Sequence, residues 1–64
     1  MDPIDECRRL EVIKDKLLRV EIETKDMENV SEKDKERVLN YVNFAIDNVV
    51  LAMDELKKMS SEVN

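Results

Sequence analysis

Sixteen carboxylates, eleven basic side chains and a single thiol, Cys7, carry most of the reactive chemistry in this sequence, and histidine is absent. Without histidine nothing supplies a general base near neutral pH, unless a carboxylate is buried, and no acidic residue sits at an obviously apolar position. Carboxylate-rich helical enzymes and di-iron bundles need inward acids three or four residues apart on facing helices. Here Glu28 and Glu32 straddle a turn signal, and Glu21 and Glu23 point in two directions. One cysteine without histidine cannot build a zinc site, and a chain without glycine has no loop to cradle phosphate. The residues therefore predict no enzyme, no metal and no cofactor.

Three other groups of side chains could support binding. Cys7 stands near a helix start beside Arg8 and Arg9, surroundings that make a thiol reactive. It reads as a small residue at a bundle edge, with an intermolecular disulfide or redox handle as the alternative. Arg8, Lys16 and Arg19, with Val12 among them, cluster on one side of a helix and could meet phosphates. Asp5, Asp15 and Glu23 flank that stripe, and no aromatic residue interleaves with it for base stacking, so a solvated mixed-charge face is the plainer reading. Phe44 and Leu51 lie seven residues apart on one helical face, with Asn48 between them and Tyr41 one turn earlier. They form either peripheral packing or an anchor for a partner helix, because aromatic residues concentrate binding energy at interfaces.

The elements that must carry these groups are helices. With no glycine and one proline at position 3, the chain has almost nothing for tight β-turns, whereas Glu, Lys, Leu, Met and Arg favour helix. Asp2 followed by Pro3 is a helix start, and Asp5 and Glu6 suit its positive first turn. Leu10, Ile13, Leu17, Val20, Thr24 and Met27 then alternate in steps of three and four, the packing seam of a helix over about 3–28. Four-residue pairs Asp5/Arg9, Asp15/Arg19 and Glu21/Lys25 decorate its outer surface. Ser31 with Asp34 resembles a capping box and places the turn at about 28–31. Val38, Val42, Ala45, Val49, Ala52, Leu56, Met59 and Val63 continue a strict four-three alternation, giving a second helix over about 32–60 with a frayed end over 61–64.

A connection that short makes the two helices antiparallel neighbours, so the fold class is an all-α two-helix hairpin in one domain spanning 1–64. Helix two carries more apolar surface than helix one can cover, because Leu39, Ile46, Met53 and Val50 widen its seam. A single core in a chain of 64 residues rarely supplies more than a few kcal/mol. Two hairpins packed as a four-helix bundle resembling a coiled coil would bury the excess, with Val38, Leu39, Val42, Ala45, Ile46, Val49, Val50, Ala52, Met53, Leu56 and Met59 as the self-association surface.

Composition limits what such a protein does. Charged and hydrophobic residues each make up 42% of the chain, too apolar for a disordered segment and too charged for a membrane protein. A net charge of −5 repels nucleic acid and anionic lipid at long range. The acidic start MDPIDECRR is unlike a signal peptide, and one cysteine agrees with a reducing compartment, so a cytoplasmic, intracellular location is expected. A Glu- and Lys-rich chain without glutamine has the bias of heat-adapted proteins. The sequence thus predicts a non-catalytic protein-interaction module, a homodimeric bundle acting as scaffold, regulator, inhibitor or small subunit. Its alternative is an RNA- or DNA-binding regulator that uses the basic stripe of helix one.

Overall fold

The computed structural model describes residues 2–62, with the side chain of Glu62 left out, and among these the chain forms two helices, α1 over Pro3–Lys25 and α2 over Glu32–Glu62. Val63 and Asn64 of the anticipated frayed end lie outside the described residues, and α2 extends to Glu62 rather than stopping near 60.

Local chemistry accounts for each helix end. The Asp2 carboxylate accepts from the Ile4 backbone N–H at 3.0 Å, and Pro3 enters the helix where its missing N–H costs nothing. At the start of α2 the Ser31 hydroxyl accepts from the Asp34 backbone N–H at 3.1 Å, and the Ser31 carbonyl accepts from Lys35 N–H at 3.0 Å. Helix α1 ends at Lys25, about three residues before the expected 28, and the connection runs from Asp26 to Ser31. Two contacts favour that earlier stop. Thr24 Oγ1 donates back to the Val20 carbonyl at 2.8 Å, and the ammonium of Lys35 on α2 donates to the Lys25 carbonyl at 3.3 Å, satisfying an acceptor at the negative pole of α1. With no glycine available, Asn29 takes the left-handed conformation of the reversal, at φ 61°.

The helices pack side by side and antiparallel, in a bar whose Cα atoms extend 53 × 15 × 13 Å. Cys7 meets the Met53 backbone across the pair, and Lys35 meets the Lys25 backbone. These two contacts are separated by the same number of residues on both helices, so the register holds without slippage. Residues turned inward on α1 are Pro3, Cys7, Leu10, Lys14, Leu17, Glu21 and Thr24. On α2 they are Lys35, Leu39, Val42, Ile46, Val49, Met53, Leu56 and Ser60.

This seam differs from the expected one on both helices. On α1 the row Cys7, Lys14 and Glu21 replaces Ile13, Val20 and Met27, which are exposed. On α2 Leu39, Ile46 and Met53 face α1 instead of widening an outer stripe, while Val38, Ala52 and Met59 are exposed. The register sets Cys7 level with Met53, Lys14 with Ile46 and Glu21 with Leu39, so large apolar side chains meet small or long amphipathic ones. Lys and Glu can lay their stems along such surface and keep their charges wet.

Candidate interaction surface

The intramolecular core is thin. Among the described residues the only buried hydrophobic side chains are Cys7 and Met53, with Thr24 the one buried polar residue. Thirteen large hydrophobic side chains are exposed. The six ion pairs among the described residues are local, three or four residues apart within one helix, from Arg9–Glu6 at 3.2 Å to Arg8–Asp5 and Lys25–Glu21 at 3.9 Å. Of the expected pairs Glu21/Lys25 forms, whereas Asp5 engages Arg8 and Arg9 engages Glu6; Asp15 and Arg19 make no pair among the described residues. None of these contacts joins the two helices, and exposed pairs of this kind contribute little to stability.

The two flanks of the bar are chemically unequal. In antiparallel helices of the same hand, the rows just before Cys7, Lys14 and Glu21 on α1 and before Leu39, Ile46 and Met53 on α2 fall on one side. That side presents Glu6, Ile13 and Val20 on α1 and Val38, Ala45, Ala52 and Met59 on α2; all are exposed except the half-buried Glu6 and Ala45. The opposite flank interrupts Ile4, Leu18 and Val50 with Glu11, Lys25, Glu36, Asn43 and Lys57. One flank is therefore an apolar strip whose one charge, Glu6, lies near the open end, and the other is a mixed-charge surface of the sort water solvates.

The expected self-association residues are divided by this arrangement. Leu39, Val42, Ile46, Val49, Met53 and Leu56 belong to the seam with α1, Val38, Ala45, Ala52 and Met59 to the apolar flank, and Val50 to the charged flank. Sequence reasoning missed Ile13 and Val20 as flank residues. The available signal was that α2 already had two apolar rows, so α1 could offer its own second row to another chain.

Tyr41, Phe44 and Leu51 are 75%, 69% and 62% exposed. Phe44 and Leu51 lie on the ridge of α2 farthest from α1, whereas Tyr41 and Asn48 sit between that ridge and the apolar flank. The Asn48 side-chain amide donates to the Phe44 carbonyl at 2.8 Å, so it serves its own helix. Arg8, Lys16 and Arg19 are exposed on the outer side of α1, with Arg8 beside Asp5.

Near the turn an open cleft of about 380 Å³ is lined by Lys25, Glu32, Lys35, Glu36 and Leu39. Lys35 is already engaged there by the Lys25 carbonyl and by Glu32 at 3.5 Å. No three Cys, Asp or Glu side chains converge as a metal site among the described residues. No helix of the described residues is long and apolar enough to cross a membrane. These features define a helical hairpin with one unpartnered apolar flank. No protein-family model, curated protein or solved structure matches the chain.

Proposed function

We propose that the protein is a non-catalytic protein-interaction module that works as a homodimeric helical bundle, in the role of scaffold, regulator, inhibitor or small subunit of an assembly. The observation that carries this reading is the imbalance between two buried hydrophobic side chains and thirteen exposed large ones. Four of the thirteen, Ile13, Val20, Val38 and Met59, share one flank with Ala45 and Ala52, and contiguous exposed apolar surface of this kind marks interfaces. The absence of histidine supports the non-catalytic part of the reading. The basic stripe of α1 supports nucleic-acid binding less well, because Arg8 is beside Asp5 and the chain carries a net charge of −5.

Molar mass by light scattering after size exclusion tests the reading across a concentration series. A mass near twice 7.5 kDa, steady on dilution, is the expected result. A helical monomer over the whole range would overturn the homodimer.

A further inference from the structure

We infer that a second copy of this chain docks on the flank of Ile13, Val20, Ala45 and Ala52, with α1 of each copy against α2 of the other and both turns at the same end of the bundle. This assignment rests on the homodimer reading and specifies its interface.

Area identifies the occupant. The chain exposes 5239 Å², whereas a compact protein of its mass exposes about 4,250 Å². The excess of about 1,000 Å² is close to the roughly 800 Å² that each partner contributes to a standard interface. Shape agrees, because two helices side by side make a single layer, and stable domains bury their apolar faces between two. Charge selects the flank. Two chains of net charge −5 approach best where unpaired charge is least: the one charge within the strip row, Glu6, is paired with Arg9, and Lys16 and Glu23 stand only at its outer border, whereas the opposite flank carries Glu11, Glu36 and Lys57 with no ion pair among the described residues.

Side-chain size then selects the orientation. A two-fold axis along the bar keeps every residue at its own level, so the intrachain register also governs the contact between copies. Ile13 of one copy then stands opposite the gap between Ala45 and Ala52 of the other, and Val20 opposite the gap between Val38 and Ala45. Large side chains enter spaces left by small ones, which lets helices interdigitate at uniform spacing. Turning one copy end for end would set the alanine row of α2 against itself and the bulky row of α1 against itself.

Spin labels at Glu28→Cys in a Cys7→Ser background would report the distance between turns in the dimer. Helix axes in a bundle lie 8–10 Å apart, so turns at one end give a label separation under about 30 Å. Turns at opposite ends give roughly 50 Å, near the 53 Å length of the bar. The long distance would overturn the orientation and leave the homodimer standing. The flank is tested separately by Ala45→Glu with Ala52→Glu, at one half-buried and one exposed position of the flank and both compatible with helix. This variant should remain helical while its dimer dissociation constant rises about 100-fold or more. A dimer of unchanged affinity would overturn the flank. Phe44→Asp with Leu51→Asp, on the outward ridge, should leave dimer affinity within a few-fold, and loss of the dimer there would move the interface to that ridge. A wild-type monomer would instead remove the homodimer reading itself.

Discussion

Cys7 shows how one side chain's role depends on its neighbours. Its Sγ lies 3.9 Å from the Met53 carbonyl and is covered by the helix pair, which places the thiol in the seam instead of at an exposed edge. Alkylation of Cys7 in native protein should therefore be at least ~10-fold slower than in urea, followed by mass spectrometry; equal rates would show that the seam opens freely. Met53 is the other buried apolar side chain, and Met53→Ala removes much of a core that has little to spare. The expected loss is about 2–4 kcal/mol, measured by urea denaturation at fixed protein concentration. Val12, exposed on the outer side of α1, provides the contrast: Val12→Ala should change stability by less than about 0.5 kcal/mol.

For the helices as elements, the informative positions are their ends. Removing the Ser31 hydroxyl frees the Asp34 N–H at the start of α2, so Ser31→Ala should cost about 1 kcal/mol in the same denaturation experiment. Asn29 carries the left-handed turn conformation, and a β-branched replacement cannot adopt it cheaply. Asn29→Val should cost roughly 1–2 kcal/mol, whereas Asn29→Gly should be neutral or mildly stabilising. Equal effects of valine and glycine would mean that the turn readily takes another path. The starts of both helices were legible because Asp2–Pro3 and Ser31 act on adjacent backbone groups. The end of α1 was harder to read, because its last carbonyl is satisfied by Lys35 from the other helix, a contact that sequence spacing does not display.

At the scale of the whole molecule, the proposed dimer would supply much of the stability of a bar with so little interior, which would link melting temperature to concentration. The thermal midpoint, followed by circular dichroism, should rise by several degrees between micromolar and near-millimolar protein. A constant midpoint would indicate that the hairpin unfolds as an independent unit. Salt gives a second handle, since two chains of net charge −5 repel one another. Raising ionic strength from about 0.01 to 0.15 M shortens the screening length from about 30 to 8 Å and should tighten the proposed dimer, as read by sedimentation.

Helix formation, polarity and number follow from the chain alone, because they depend on composition, on caps within a few residues and on three-and-four periodicity, all local quantities. An excess of exposed apolar surface was also legible, since α2 carries more apolar rows than one partner helix can cover. The choice of row was not. Leu10, Leu17 and Thr24 are common to two candidate seams on α1, one completed by Ile13 and Val20 and the other by Cys7, Lys14 and Glu21. Hydropathy favours the first, but the turn and the register of α2 bring the second inward, set against Met53, Ile46 and Leu39. Only tertiary structure decides this, because burial is a property of the pair: a lysine stem against isoleucine can serve the seam while the more apolar row stays on the surface.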